Sequence, residues 1–157
     1  MTRAIVLAAF LAALAAPARA EPGPWGLSVW GLSYHLNRSV DYNEDNWGLG
    51  VRYYVKPDRL FVEADALRNS NRGLVLPVSV GLEFKVAPLP AGCTLNAVAA
   101  LTAAYYQYPK FHTTDFKIGP VPGLTISCGH VKVNGIAVLR KASEPLAALS
   151  ASLTIMF

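Results

Sequence analysis

A histidine and a serine are the residues of this chain with the greatest potential for chemistry. His35 begins the polar stretch HLNRSVDYNEDN, which follows an alternating apolar run, and Ser70 lies in the polar segment RNSNR at residues 68–72. A histidine within hydrogen-bonding reach of a hydroxyl group can act as a general base, with the hydroxyl as nucleophile or as orienting group. These residue types indicate acyl transfer if the fold brings His35 and Ser70 together.

The alternative is that both segments are ordinary polar turns. Asn, Asp and Ser are frequent in turns because their side chains hydrogen-bond to nearby backbone groups. The positions of the two segments in the fold therefore decide between a reactive site and a pair of solvated loops.

Other kinds of site find no support in the sequence. His35, His112 and His130 are scattered without the paired spacing of metal ligands, so we expect no metal and no other cofactor. There is no glycine-rich phosphate loop and no Gly-x-Ser-x-Gly motif. The net charge of +4 comes without a block of basic residues, so we expect no nucleic-acid partner.

Alternating apolar and polar residues predict that β-strands position the candidate residues. In NWGLGVRYYV, residues 46–55, every second residue from Trp47 to Val55 is apolar, which is the period of a strand with one apolar face. Similar alternation, less regular in some runs, predicts eight strands at 26–36, 46–55, 59–68, 73–86, 93–107, 117–128, 131–140 and 146–157.

The faces of these strands favour a membrane barrel over a soluble sandwich. A membrane barrel turns its apolar faces to lipid and keeps polar groups in the lumen, where Arg52, Glu63, Asp65 and Glu83 could neutralise one another. Phe157, at the end of the last amphipathic run, resembles the terminal aromatic residue of bacterial outer-membrane barrels. We therefore expect an all-β fold, an eight-stranded antiparallel up-and-down transmembrane β-barrel, as a single domain over residues 21–157.

A soluble ligand-binding barrel of the lipocalin kind is the alternative fold. Gly23-Pro24-Trp25 fits the Gly-x-Trp start of that class. Lipocalins carry a helix after the barrel, however, whereas the pattern of residues 146–157 predicts a strand.

The N-terminal segment predicts export to the bacterial outer membrane. Residues 1–20 contain Arg3, an apolar stretch at 4–15 and the sequence Ala-Arg-Ala at 18–20, which together fit a secretory signal peptide cleaved after Ala20. A membrane anchor is the alternative, although the apolar stretch is short for one.

The order of the strands places the two polar segments at the same rim. If the exported chain starts on the periplasmic side, the connections at 37–45, 69–72, 108–116 and 141–145 face outward. Those at 56–58, 87–92 and 129–130 then face the periplasm. His35 and Ser70 therefore come from different hairpins but reach the same rim of the barrel.

The two cysteines lie near the periplasmic end of adjacent predicted strands. An exported chain can keep a disulfide, so a bond between Cys93 and Cys128 is geometrically credible. Two separate buried thiols are the alternative.

The inward face of strand one predicts what lies beneath the rim. We expect Leu27, Val29 and Gly31 to share that face with His35. An apolar floor below a polar rim could hold an acyl chain, or it could be the ordinary side-chain filling of a small barrel.

Several short motifs resemble the PagP family of outer-membrane lipid A palmitoyltransferases. They are His35 with Tyr42-Asn43-Glu44 and Trp47-Gly48 in the first hairpin, Arg68-Asn69-Ser70 in the second, and Ile118-Gly119-Pro120-Val121-Pro122 in strand six. The similarity extends thinly over most of residues 28–140.

The resemblance implies a specific reaction and site. The family moves a palmitoyl chain from a phospholipid to lipid A and holds that chain in an apolar pocket inside the barrel. Its active-site histidine and the Asp-Ser pair of its second outer loop fall here on His35, Asn69 and Ser70, with asparagine in place of the family's aspartate. A carboxylate could come instead from one of three first-loop residues: Asp41, Glu44 or Asp45.

The resemblance also implies where lipids enter and bind. In the family, prolines weaken strand pairing and open lateral gates, since proline has no N–H to donate, and Pro120 and Pro122 stand in the matching region. Tyr42 and Asn43 would contact substrate. Four outer-loop cations could meet the phosphates of lipid A, because arginine suits phosphate geometry, or they could be ordinary solvated loop charges: Arg38, Arg68, Arg72 and Lys110.

We therefore predict a monomeric outer-membrane acyltransferase whose partners are lipid A and a phospholipid acyl donor. The alternative is a small structural or interaction barrel of the same fold without catalysis. Both readings share every feature of the fold, so only the chemistry at the rim separates them.

Overall fold

Eight antiparallel strands, joined in chain order, close into a barrel. The computed structural model describes residues 22–36, 42–139 and 146–157, so the predicted signal peptide at 1–20 lies outside the described residues. The strands are β1 (Trp25–His35), β2 (Gly48–Lys56), β3 (Leu60–Arg68), β4 (Leu74–Pro88), β5 (Thr94–Tyr108), β6 (Thr113–Cys128), β7 (Val131–Leu139) and β8 (Leu146–Met156). The predicted all-β, eight-stranded antiparallel barrel is confirmed. Across the described residues, no helix is long and apolar enough to cross a membrane.

The antiparallel order gathers the connections at two ends of the barrel. The end of β1, the β3–β4 turn at 69–73 and the β5–β6 turn at 109–112 share one end, which we call the rim. The β2–β3, β4–β5 and β6–β7 turns share the opposite end. The predicted common position of His35 and Ser70 follows from this order.

The predicted outer loop at 108–116 is wrong in its extent. β5 continues to Tyr108 and β6 begins at Thr113, so only residues 109–112 connect the two strands. Pairing is unbroken from Thr94↔Ser127 to Tyr108↔Thr113. Residues 113–116 lack the apolar alternation by which a strand is recognised in sequence, yet their backbone pairs with the end of β5.

The outer surface of the barrel is apolar. The predicted apolar faces of β2 and β4 point outward, where the side chains of Leu49 and Val78 are 56% and 55% exposed. The same face of β8 carries exposed Leu149, Ile155 and Phe157. Period-two alternation therefore assigns the two faces of these strands correctly.

The lumen on the side away from the rim is filled by ion pairs. Arg52 Nη2 lies 2.7 Å from Glu63 Oε2, and Arg52 Nη1 lies 3.3 Å from Glu83 Oε1. Lys132 Nζ lies 3.1 Å from Glu83 Oε2, and the hydroxyl of Tyr54 donates to Glu83. The predicted neutralisation of lumen charges therefore occurs for Arg52, Glu63 and Glu83, with Lys132 as an additional cation that sequence reasoning did not include. Asp65 instead accepts from Trp30 Nε1 at 2.8 Å.

The predicted inward face of β1 is wrong for its first half. Leu27 and Val29 point outward and are 43% and 38% exposed, whereas Ser28 and Trp30 are buried in the lumen. The pairing register of β1 with β8 shifts between Trp30 and Leu32. A bulge of this kind moves the following residues to the other face, so that Ser33 and His35 turn inward only after it.

A disulfide joins Cys93 to Cys128 at the end of the barrel opposite the rim, with the two Cα atoms 4.3 Å apart. The bond follows the last pair of the β5–β6 ladder, Thr94↔Ser127, and links positions separated by 35 residues. It therefore closes a loop that contains the whole β5–β6 hairpin.

Removing this bond is expected to destabilise the barrel. A crosslink that closes a loop of this length limits the freedom of the unfolded chain and is worth about 2–4 kcal/mol. Cys93→Ser/Cys128→Ser should lower the free energy of unfolding by that amount in urea titrations in detergent micelles. Reductant should lower the urea concentration at the unfolding midpoint of the wild type and leave that of the double variant unchanged. Equal midpoints for the wild type and the double variant without reductant would contradict the prediction.

Candidate active site

The structure brings His35 and Ser70 together at the rim. His35 is the last residue of β1, and its Nε2 lies 2.7 Å from Ser70 Oγ in the β3–β4 turn. The ring of Tyr42 stacks on the imidazole with centroids 4.4 Å apart and an interplanar angle of 26°. This is the spacing of a nucleophile and its base, with the base held in orientation by a third side chain.

Residues 42–46 lie between β1 and the β3–β4 turn and bond to both. The backbone N–H of Ser33 donates to Glu44 O at 2.9 Å, and the N–H of Asn43 donates to Ser70 O at 2.9 Å. Glu44 Oε1 accepts from the backbone N–H of His35 at 3.1 Å. This segment therefore fixes the relative positions of His35 and Ser70.

The candidate carboxylates near His35 differ in position. Glu44 is half-buried and bonded to the main chain of His35, whereas Asp45 is exposed. Asp41 lies outside the described residues.

Asn46 links Ser70 to three other parts of the rim, a role that sequence reasoning missed. One terminal atom of its amide lies 3.2 Å from the carbonyls of Asn43 and Arg68, which favours nitrogen at that position because two carbonyl oxygens need a donor, and the same atom lies 2.9 Å from Asn43 Nδ2. The other terminal atom, the oxygen, lies 2.7 Å from Ser33 Oγ and 3.1 Å from Ser70 Oγ. An asparagine at the end of a polar stretch gives no sequence signal for such a position.

The side chain of Asn69 is bonded to backbone groups around its own turn. Its Oδ1 accepts from the N–H groups of Asn71 and Gly73 at 2.9 and 3.0 Å. Its Nδ2 donates to the carbonyls of Gln107 and Leu74 at 2.7 and 3.2 Å. Asn69 is buried, and these bonds fasten the Ser70 turn to the end of β5.

Asn69→Asp is expected to weaken this turn. A carboxylate can still accept from Asn71 and Gly73, but its second oxygen would face the carbonyls of Gln107 and Leu74 with no proton to share. An unsatisfied buried polar contact of this kind costs about 1–3 kcal/mol. Urea unfolding should show that loss as a lower free energy of unfolding. An unchanged free energy of unfolding would contradict the part that Nδ2 of Asn69 plays in fastening the turn.

A cavity of about 1370 Å³ extends from His35 and Ser70 into the barrel. Small side chains leave this space open on the β4 and β5 walls: Pro77, Ser79, Ala100, Thr102 and Ala104. Phe61, Arg52, Glu63 and Asp65 line it further from the rim. The floor predicted from Leu27 and Val29 is therefore wrong, because those residues face outward.

Strand pairing between β6 and β7 is missing beside the cavity, which leaves a side opening in the hydrogen-bond ladder of the barrel. Pairing of these strands runs from Cys128↔Val131 only as far as Gly123↔Ile136, and Pro120 and Pro122 stand just beyond the last pair. The β5–β6 ladder continues past both prolines, so the missing pairs are on the β7 side. The residues that line the cavity include neighbours from both faces of the unpaired part of β6: Lys117, Ile118, Gly119, Pro120 and Val121.

The predicted lipid-contacting residues surround this site at the rim. Tyr42 and Arg68 line the cavity, and Arg68 and Arg72 are exposed. Asn43 is half-buried and donates through Nδ2 to the carbonyl of Asp45 at 3.0 Å. In the part of the chain that the structure describes, no three His, Cys, Asp or Glu side chains group as metal ligands.

Comparison with protein-family models and with curated proteins finds no match for this chain.

Proposed function

We propose that this chain is an outer-membrane acyltransferase that moves a fatty acyl chain, such as palmitoyl, from a phospholipid to lipid A. The observation that carries the proposal is the 2.7 Å contact between His35 Nε2 and Ser70 Oγ at the mouth of the cavity. A base paired with a hydroxyl provides the chemistry, and the space beneath it provides room for a hydrocarbon chain.

The surface of the barrel supports a membrane location. Its outward side chains form a broad apolar band, much larger than the patches that soluble monomers usually expose. Exposed aromatic residues lie towards both ends of this band: Trp25 and Phe157 at one end, and Tyr34, Trp47 and Phe116 at the other. Aromatic girdles at both interfaces and a polar lumen are typical of outer-membrane barrels. Such a protein would act as a monomer among lipids.

The proposed reaction passes through an acyl-serine. Ser70 Oγ attacks the ester carbonyl of the phospholipid while its proton moves to His35 Nε2. The ester C–O bond then breaks, and His35 returns the proton to the leaving glycerol oxygen, which gives a lysophospholipid and acyl-Ser70. A hydroxyl of lipid A attacks this ester, transfers its proton to His35, and forms the new ester as Ser70 recovers a proton.

The side opening gives lipids a route to this pair. Pro120 and Pro122 have no N–H with which to extend the β6–β7 ladder, so an acyl chain could slide from the membrane into the cavity there. Water is then excluded from the acyl chain while the ester group stays at the polar rim.

Mass spectrometry of lipid A tests the proposal. Gram-negative cells that express the wild-type chain should contain a lipid A species heavier by one acyl chain, and cells that express Ser70→Ala should not. A heat-shifted migration in gels establishes that both barrels are folded. A folded wild-type barrel without the new species would favour a structural or interaction barrel without catalysis.

A further inference from the structure

We propose that Lys117 binds the phosphate of the donor phospholipid at the side opening of the cavity. The role of that lipid as acyl donor rests on the proposed function, whereas its binding does not. Lys117 pairs across the β5–β6 ladder with Ala104, a buried residue of the cavity wall, so its side chain starts on the inner face of β6. It lies in the part of β6 that has no partner in β7.

Two tyrosines and a carboxylate surround the ammonium group of Lys117. Its Nζ donates to Tyr108 OH at 2.9 Å and lies 3.4 Å from Asp115 Oδ2. It also lies 5.2 and 5.5 Å from the ring centroids of Tyr106 and Tyr108, whose planes are inclined by 11°. The aromatic pair therefore holds the cation at the opening without enclosing it.

The ammonium group remains accessible to a ligand. The side chains of Lys117 and Asp115 are 56% and 49% exposed, and an ion pair in such a position is weak. A phosphate oxygen can therefore take over the bond from Asp115. Arg52, which also lines the cavity, is bound to Glu63 and Glu83 deep in the lumen and is not available in this way.

The position of Lys117 suits a lipid whose ester group reaches Ser70. Tyr106 and Tyr108 flank Gln107, and the carbonyl of Gln107 accepts from Asn69 at 2.7 Å. Asn69 directly precedes Ser70, so the residues that hold Lys117 are fastened to the turn that carries the proposed nucleophile. A phospholipid entering between β6 and β7 would meet the cation with its phosphate and the His35–Ser70 pair with its ester.

Lipid titration in detergent micelles tests the site. Phosphatidylglycerol and diacylglycerol with the same acyl chains should bind the wild type with different dissociation constants, because only the first carries a phosphate. Lys117→Met should weaken phosphatidylglycerol binding about fivefold, since a cation near a lipid surface is worth about 1 kcal/mol. Diacylglycerol binding should not change.

Two further variants distinguish a phosphate site from a merely structural lysine. Asp115→Asn removes the competing charge but keeps the oxygen that accepts from the backbone N–H of Phe116 at 2.9 Å. It should therefore tighten phosphatidylglycerol binding, the opposite of Lys117→Met. Lys85→Met, an exposed lysine of β4 far from the rim, should match the wild type.

The outcomes separate the two proposals. Any of three results would overturn the phosphate site. The wild type could bind phosphatidylglycerol no more tightly than diacylglycerol, Lys117→Met could keep the preference of the wild type, or Asp115→Asn could bind phosphatidylglycerol more weakly. If an equal concentration of inorganic phosphate displaces phosphatidylglycerol, the site binds free phosphate and is not a lipid site. A preference that depends on Lys117 in a protein with no acyl transfer would retain the site and reject the proposed enzyme.

Discussion

His35→Ala is expected to lower the rate of acyl transfer by about 10²–10⁴-fold, the usual contribution of a general base. The imidazole is the group 2.7 Å from Ser70 Oγ that can take the proton as the hydroxyl attacks. Lipid binding should change little, because the cavity walls stay in place. The fall should therefore be in kcat rather than in KM, measured with a radiolabelled phospholipid and purified lipid A in micelles.

The pair should behave as one unit. Because the proposed mechanism has His35 and Ser70 act in the same proton transfer, the variant lacking both should be nearly as active as either single variant. His112→Asn is the matched control: His112 is exposed near the same rim and has a φ of 50°, a left-handed conformation that asparagine adopts readily. If the loss of rate in the double variant equals the product of the losses in the two single variants, the two residues do not act in one step.

Strand number and topology could be predicted because most strands alternate without interruption. In β4 every outward position from Leu74 to Val86 is apolar, so the two faces are unambiguous. In β1 the alternation Leu27, Val29, Gly31 continues into a bulge that shifts the pairing with β8. A bulge depends on the partner strand, and the sequence of one strand does not reveal it, so the first half of β1 was assigned to the wrong face.

The meeting of His35 and Ser70 was predictable, but the bonds around them were not. Strand order alone places the end of β1 and the β3–β4 turn at the same rim. The roles of Asn46 and Asn69 depend on which backbone carbonyls and N–H groups come within 3.2 Å, and this is set by loop conformation. The role of Lys117 is hidden for a related reason: the sequence predicts a loop at 108–116, and two of the residues that contact this lysine, Tyr108 and Asp115, lie in that range.

The floor of the cavity depends on the buried charges below it, and Glu83 is their centre. Its side chain is 1% exposed and contacts Arg52 and Lys132 at 3.3 and 3.1 Å, and it also accepts from Tyr54. Glu83→Leu would leave Arg52 and Lys132 in the lumen without the carboxylate that they share. Breaking a buried pair from one side costs about 3–5 kcal/mol, so the free energy of unfolding should fall by that amount in urea titrations in micelles.

The second partner decides whether this loss comes from unpaired charge or from lost packing. Glu83→Leu/Lys132→Met removes both members of one pair and should be more stable than Glu83→Leu alone, because no ammonium group is then left buried beside leucine. Asp115→Asn/Lys117→Met removes an exposed pair instead and should cost less than about 1 kcal/mol. If the Glu83 and Lys132 substitutions simply add, the charges do not act together. The lumen would then be held by side-chain packing, and the cavity floor would not depend on the pairing of its charges.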